Sequence, residues 1–361
     1  MKKDIRPATN APRGSDFVLS AGLLDQKEAK TTHGLIRGSE RFQVAAVIDE
    51  RYAGKDAGDV LDGKAKGIPI FSDLESAIQA LGKPDYTILG VATIGGVLPP
   101  NLLEDIRFSL RNGISVVNGL HDYLQDHEDL KAIAAESGAQ LIDIRKPKRF
   151  SELHFWSEEI YDVNCPIVSV LGMDCAVGKR TTARFLTEAC QEAGLKAEMI
   201  YTGQTGWMQG SKYGFIFDST LNDFVSGELT HAIIQAFKNE KPDVLFLEGQ
   251  SSLRNPSGPC GPEYLISANS KYVVLVHELK KQYFDDHESW GKLPSVSSEM
   301  DLIKMYNSEV IALALNTRGC TPDEAKKAKE NYEKLLGIPV LLPLEEGVQE
   351  IASIVNKLNN V

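Results

Sequence analysis

One segment constrains the fold more than any other, because a strand, a glycine loop and a helix follow one another within residues 166–186. The segment reads PIVSVLGMDCAVGKRTTARFL, in which a β-branched run ends at Gly172 and a helical pattern begins after Gly178. A phosphate-binding loop needs this context, because curled backbone N–H groups and a helix N-terminus together attract an anion. The segment therefore predicts a phosphate site at the edge of a parallel sheet.

The loop departs from the common pattern in two respects. Five residues separate Gly172 from Gly178, where four are usual, and Arg180 occupies the position of the magnesium-binding hydroxyl. Thr181 is one step further along the helix, which rotates it by roughly 100°. We expect a phosphate cradle without a protein-held metal, in which magnesium-dependent chemistry on a γ-phosphate is less favoured. The residues expected to hold the ligand are Gly172, Asp174, Cys175, Ala176, Val177, Gly178, Lys179, Arg180 and Thr181.

Cys175 lies inside this loop, and the helix N-terminus is expected to lower the pKa of its thiol. A space-filling role is the preferred interpretation, and no thiol nucleophile is proposed.

Short apolar runs alternate with helical patterns along all 361 residues, which predicts an α/β protein with parallel sheets. A Rossmann-like domain over 1–145 and a P-loop NTPase-like domain over 166–361 are expected. The stretch 146–165 between them is interpreted as a linker or a short packed helix. The predicted strands cover 17–20, 42–48, 68–71, 86–91, 115–118, 140–144, 167–171, 196–201, 244–247, 272–277, 310–315 and 339–342. The predicted helices cover 73–81, 102–112, 179–193, 219–238, 321–336 and 346–358. Within the linker, Phe155, Trp156 and Tyr161 are interpreted as interdomain packing.

Composition narrows the function classes. With 42% hydrophobic and 25% charged residues, the chain is neither disordered nor a disulfide-stapled miniprotein. A net charge of −11 disfavours nucleic acid and anionic membranes as partners. Five cysteines without a CxxC pair fit reduced thiols, and neither a secretory signal nor an 18-residue apolar stretch is recognisable. We expect a cytoplasmic protein that forms a homo-oligomer.

The loop pattern GxDxxVGK resembles the dethiobiotin synthetase and cobyrinic acid synthase branch of P-loop proteins. The resemblance extends to Thr202–Gly206 (TGQTG) and to the Glu248-Gly249 pair that ends an apolar run. In that branch an acidic residue at the latter place serves metal or substrate. The resemblance also reaches Asn316, where that branch tends to place an asparagine that reads a nucleotide base.

Over nearly the whole chain, the segments DCAVGK, TGQTG and LEGQ resemble a bacterial family long labelled as a domain of unknown function. Its members join a Rossmann-like domain to a P-loop domain, and one member is the D-glutamate N-acetyltransferase of D-glutamate catabolism. The resemblance implies acetyl-CoA as cofactor, an amino-acid substrate and a phosphate loop that holds the CoA pyrophosphate.

Acetyl transfer to an amine requires a group that accepts the amine proton. Glu248 is the first candidate, because it ends the third strand of its domain, which is expected to lie beside the phosphate-loop strand. Asp218 and Asp223 are further catalytic candidates, although both also suit a helix start. His231 is a fourth, with packing as its alternative role.

A dicarboxylate substrate needs cations, and Arg254 and Arg318 both follow predicted strands. Gln204 and Thr205 in TGQTG are the other substrate-binding candidates. A plain surface role remains open for both arginines.

The first half lacks the GxGxxG fingerprint of dinucleotide binding. Lys30, Thr31 and Arg37 are weak candidates for a phosphate or carboxylate, and Asp49 for a ribose. Residues 67–93 resemble CoA-binding Rossmann domains of succinyl-CoA synthetases.

Three functions stay open at this point. The first is an acetyl-CoA-dependent N-acetyltransferase acting on D-glutamate or a related amino acid. The second is an ATP- and magnesium-dependent ligase or kinase of the dethiobiotin synthetase kind, and the third is a non-catalytic nucleotide-binding protein.

Overall fold

The computed structural model describes residues 15–359, which form two compact α/β units. The first unit extends to Pro147 and also contains Gln204–Ser211, and the second comprises Lys148–Gly203 and the chain from Lys212 onward. The P-loop domain predicted over 166–361 includes residues 204–211 instead. The absence of a secretory signal was predicted from the amino-terminal segment. Residues 1–14, which make up most of that segment, lie outside the described residues.

The first unit is built on six parallel strands in the order β3-β2-β1-β4-β5-β6. They are β1 (Ser15–Leu19), β2 (Gln43–Ile48), β3 (Ile70–Phe71), β4 (Tyr86–Leu89), β5 (Ser115–Asn118) and β6 (Leu141–Asp143). All six correspond to apolar runs from which strands were predicted, so the predicted Rossmann-like sheet is confirmed.

Helices connect these strands: α1 (Lys30–Arg37), α2 (Ala57–Asp62), α3 (Leu74–Leu81), α4 (Leu102–Arg111) and α5 (Glu128–Ser137). Local signals explain several of their ends. The Asp73 side chain accepts a hydrogen bond from Ser76 N at the start of α3, and Gly138 ends α5 in the left-handed conformation.

A further helix of the first unit comes from far along the chain, namely α7 (Gln204–Gln209). Met208 is fully buried in a core cluster with Val18 and Val117, and Arg41 lies over the Trp207 ring at 4.2 Å. Gln209 Nε2 donates to the carbonyl oxygens of Gly34 and Gly38, both at 2.8 Å. This helix therefore completes the packing of the first unit.

The second unit contains seven parallel strands in the order β13-β12-β11-β7-β10-β8-β9. They are β7 (Ile167–Gly172), β8 (Ala197–Tyr201), β9 (Tyr213–Gly214), β10 (Val244–Glu248), β11 (Tyr272–Glu278), β12 (Glu309–Asn316) and β13 (Val340–Leu341). Six were predicted, and the two-residue β9 was not. Every residue of β7 is buried, as expected for a central strand covered on both faces.

The helices of the second unit are α6 (Lys179–Glu192), α8 (Asn222–Glu240), α9 (Val296–Met305), α10 (Pro322–Leu336) and α11 (Glu350–Leu358). The predicted start of α10 is confirmed, because Thr321 and Glu324 form a capping box and Pro322 follows the cap. The last helix begins at Glu350 and not at 346, because a turn links Leu342 to Gly347 first.

The segment predicted as a linker or a short packed helix belongs to the second unit from Lys148 onward. It contains two short helical turns, Phe150–Glu152 and Glu158–Asp162. Two of its aromatic residues, Phe155 and Tyr161, are 71% and 63% exposed and not packed in a core. Over residues 15–359, no helix combines the length and the apolar character needed to cross a membrane.

Candidate functional site

The phosphate loop connects the end of β7 to the start of α6, as predicted. Gly178 caps α6 with a φ of +111°, a left-handed conformation that a side chain would strain. A Cβ on Gly172 would come within 2.7 Å of the Val177 side chain, so the loop folds tightly over the strand end. Among the described residues, no acceptor takes a hydrogen bond from the backbone N–H groups of Cys175, Ala176 and Gly178. These amides at a helix N-terminus fit a phosphate group.

Lys179 is the first residue of α6, and its side chain is buried against the loop. Its Nζ donates to Asp174 O and to Ser251 O, both at 2.7 Å. Ser251 has a φ of +37°, an uncommon conformation for a residue with a side chain. The ammonium group is thus held at the cradle by carbonyl oxygens, where it adds positive charge for an anionic ligand.

Asp174 places a fully buried carboxylate beneath this loop. Its Oδ1 accepts from Asn255 Nδ2 at 2.7 Å, and its Oδ2 accepts from Asp285 N at 2.7 Å. Lys281 Nζ lies 2.9 Å from the same Oδ2 and donates to Cys175 O at 3.1 Å. Lys281 therefore balances the charge of Asp174 and fixes the loop backbone.

The ligand atoms of Asp174, Cys175 and Asp285 lie within 4.8 Å of one another, as metal ligands do. Both oxygens of Asp174 already have hydrogen-bond or ionic partners, so the cluster does not call for a metal ion. The expected low pKa of the Cys175 thiol is wrong, because burial raises this pKa despite the charge of Lys179.

Glu248 is the last residue of β10, which pairs with β7. The predicted strand order is therefore confirmed. Glu248 Oε2 accepts from the backbone N–H groups of Thr202 at 3.0 Å and Gly203 at 3.3 Å. Burial raises the pKa of this carboxyl group, and the charges of Arg180 and Lys179 act in the opposite direction. Its burial and raised pKa at the carboxyl end of a strand make Glu248 a candidate functional residue.

The Thr202 side chain holds the backbone of Glu248, and two further side chains, Gln250 and Tyr264, hold the Thr202 hydroxyl. Thr202 Oγ1 donates to Glu248 O at 2.5 Å and accepts from Gln250 Nε2 at 2.9 Å. Tyr264 Oη donates to the same hydroxyl at 3.4 Å, and burial raises the pKa of this phenol. Gln250 was visible in the LEGQ motif, whereas Tyr264 had no local signal.

The other predicted bases lie in different settings. Phe217 N donates to Thr202 O at 2.9 Å, which brings Asp218 alongside the end of β8. Asp223 is exposed in the first turn of α8, where it suits the helix dipole. His231 stacks on His154 with ring centroids 3.5 Å apart, and burial lowers its pKa.

Of the predicted substrate residues, Gln204 and Thr205 belong to α7 and hold it within the first unit. Arg145 Nη2 donates to Gln204 Oε1 at 2.9 Å, and the hydroxyl groups of Thr205 and Thr31 lie 3.0 Å apart. Both residues of α7 are buried. Their polar groups therefore already serve the packing of this helix.

The two predicted arginines differ in their surroundings. Arg254 donates to Ser298 Oγ at 3.0 Å and Ser298 O at 2.6 Å, and its Nε lies 3.1 Å from the buried Glu299 carboxylate. Arg318 is exposed just beyond β12. Asn316, two residues before it, donates from Nδ2 to Val177 O at 3.0 Å and so holds the phosphate loop.

The weak candidates of the first unit have structural partners. Arg37 forms a two-bond ion pair with Asp62, at 2.9 and 2.7 Å. Asp49 accepts from Ser20 Oγ at 2.7 Å and Leu24 N at 3.1 Å.

Comparison with known proteins matches both units to one pair of domain models. Residues 154–352 match the P-loop domain DUF1611_C and residues 50–147 match the Rossmann-like domain DUF1611_N, each described as a domain of unknown function. A crystal structure of a DUF1611 family protein from Anabaena variabilis is 26% identical, with a TM-score of 0.87. That similarity covers 96% of this chain and 100% of the other.

Two curated relatives are both named D-glutamate N-acetyltransferase. The protein from Pseudoalteromonas sp. is 27% identical over 275 residues, which cover 74% of this chain and 80% of the relative. The protein from Tritonibacter scottomollicae is 25% identical over 276 residues, which cover 72% and 78%.

Proposed function

We propose, on the premise that this chain belongs to the DUF1611 family, that it is an N-acetyltransferase. It transfers the acetyl group of acetyl-CoA to the amine of D-glutamate or a related amino acid. The names of the two curated relatives support this assignment. One observation carries it: a buried carboxylate, Glu248, ends the strand beside the phosphate loop, within electrostatic reach of Lys179 and Arg180.

The cradle supports acetyl-CoA as the phosphate-bearing ligand. The amides of Cys175, Ala176 and Gly178 together with Lys179 suit the pyrophosphate of CoA. Arg180 occupies the place of the usual magnesium-binding hydroxyl and adds a second cation in its stead. Acetyl transfer does not use a γ-phosphate, so the reaction does not need the magnesium-binding hydroxyl that Arg180 replaces.

Glu248 serves as the general base. It takes a proton from the ammonium group of the amino acid, and the free amine then attacks the thioester carbonyl. The C–N bond forms and the C–S bond breaks, and the second proton lost by the amine nitrogen passes to the sulfur, so that CoA leaves as the thiol. Because its pKa is raised, the Glu248 carboxylate is a stronger base and accepts a proton from the ammonium group more readily.

Arg318 is the better of the two arginines for the carboxylates of the acceptor. It is exposed, and Asn316 attaches the start of its turn to the phosphate loop. Arg254 is engaged by Ser298 and Glu299, which makes it a supporting residue for the loop that follows β10.

Thiol release from acetyl-CoA in the presence of D-glutamate tests the proposal. We expect release that needs D-glutamate and is unchanged by EDTA. Lys179→Ala, which removes the ligand contact, should lose tight binding of acetyl-CoA in calorimetry while its melting curve shows a folded protein. ATP hydrolysis that requires both magnesium and an organic acid, without thiol release, would overturn the proposal in favour of an ATP-dependent ligase.

A further inference from the structure

Six large apolar side chains of the second unit stand exposed in one region, which we call the aromatic patch. It comprises Phe150, Phe155, Trp156, Tyr161, Leu221 and Ile266. Phe150 is 74% exposed, more than either Phe155 or Tyr161. Exposed apolar residues are ordinary when scattered, but a contiguous group of this size marks an interaction site.

Contacts among neighbouring residues make the patch continuous. Phe224 on α8 packs edge-to-face with Phe150 and Phe155, at centroid distances of 5.3 and 5.9 Å. Trp156 packs against Tyr161 at 6.0 Å, and its Nε1 donates to Ser267 O at 3.0 Å. The hydrogen bond from Trp156 joins the segment 150–161, which carries the four aromatic residues of the patch, to the short helix that carries Ile266.

The backbone that presents these aromatic rings is anchored. His154 donates from its backbone N to Glu228 Oε1 at 2.8 Å, and Lys148 Nζ donates to Glu228 Oε2 at 2.5 Å. A Cβ on Gly227 would overlap His154 O, so the segment lies directly on α8. The rings therefore need little further ordering to bind a partner.

The area of the patch matches one side of a protein dimer. A large aromatic side chain carries roughly 150–250 Å² of surface and Leu or Ile somewhat less, so the six side chains at their exposures offer on the order of 700 Å². A standard interface buries about 800 Å² per partner and is enriched in aromatic residues at its centre. Exposed charges of both signs border the patch, with carboxylates at Glu152, Glu158, Asp162 and Asp223 and cations at Lys146, Lys148 and Arg149, so there is no net positive charge to favour an anionic lipid surface.

We propose that the aromatic patch is a self-association surface, and that a second copy of this chain covers it. A two-fold interface places the same patch on both copies, so a single surface accounts for both sides. Phe150 and Phe155 form its centre, because they stand highest in exposure and flank Phe224.

Sedimentation equilibrium of the full chain tests this inference. We expect the wild type to have twice the monomer mass, and Phe155→Glu to weaken association by about 30-fold or more. Met305→Glu is the matched control, because Met305 is 80% exposed on α9 in the same unit and lies outside the patch. The control should associate like the wild type, and circular dichroism should show all three proteins folded.

Two results would overturn it. The first is a wild type that stays monomeric at its highest soluble concentration. The second is a Phe155→Glu variant that is folded and as dimeric as the wild type. If the wild type is monomeric and also co-sediments with phosphatidylcholine vesicles, the patch is assigned to a lipid surface instead.

Discussion

Glu248 combines a proposed chemical role with an energetic cost of burial at a single position. Its carboxylate is buried and accepts hydrogen bonds from Thr202 and Gly203. Glu248→Gln keeps the shape and removes the base. We expect turnover to fall roughly 10²–10⁴-fold, with acetyl-CoA affinity unchanged in calorimetry. Turnover near that of the wild type would remove Glu248 from the reaction.

The same substitution has a signed effect on stability. The folded protein raises the pKa of Glu248 above its ordinary 4.5. The group therefore contributes stability that is present below about pH 4.5 and lost as pH rises through the folded-state pKa. Glu248→Gln should melt at a higher temperature than the wild type at neutral pH, and this difference should shrink below pH 4.5. A variant that melts lower at neutral pH would contradict the prediction.

Lys281 offers a test of charge balance beneath the phosphate loop. Lys281→Met leaves the buried Asp174 carboxylate without its ammonium partner. The uncompensated charge should weaken CoA binding on the order of 10- to 100-fold and leave binding of phosphate-free pantetheine unchanged.

The double variant Lys281→Met/Asp174→Asn provides the rescue, because it removes both charges and should recover most of the CoA affinity. Lys280→Met is the control, since Lys280 pairs with Glu324 at the surface. Equal losses for CoA and pantetheine would indicate a structural role without an electrostatic one.

Helix α8 and the segment lying on it illustrate packing between elements. Gly227 allows the carbonyl of His154 to approach the helix backbone, so Gly227→Ala forces the segment away. We expect a loss of about 1–3 kcal/mol in the free energy of unfolding, measured with urea. Gly258→Ala is the matched control, because no atom lies within 4 Å of a Cβ there. Equal stability of the two variants would contradict close packing at this point.

Elements with strong local patterns were predictable from the sequence, and those held by distant contacts were not. Strand β7 is a continuous apolar run before a glycine loop, so its position and its place before the phosphate loop were predictable from the sequence. Helix α1 contains two threonines and a glycine, and these residue types are poor helix formers. Helix α7 also contains a glycine and is only six residues long. Tertiary packing forms these helices.

The candidate site likewise contains residues that were predictable from the sequence and residues that were not. The loop glycines, Lys179 and Glu248 are recognisable because their motifs are local. Lys281 lies about a hundred residues from its partner in the loop, and Asn255 is nearly as far from Asp174. Only the folded sheet brings them together, so no spacing in the sequence could indicate them.

A single cut in the polypeptide chain does not separate the two units, because α7 belongs to the first unit. A fragment of residues 1–147 lacks Met208 and Trp207, which pack in its core. We expect this fragment to unfold without a cooperative transition in near-ultraviolet circular dichroism. Attaching residues 202–211 through a Gly/Ser linker should restore cooperativity. A fragment that unfolds cooperatively without them would show α7 to be dispensable.

The place of α7 in the chain also has a consequence for biosynthesis. Ribosomes release a protein from its amino terminus, and domains tend to fold as they emerge. The first sheet leaves the ribosome early, but the helix that packs against Val18 and Val117 is translated only after β7, α6 and β8. During that interval the nascent chain exposes an apolar face that chaperones bind, and a translational pause before α7 would prolong this exposure.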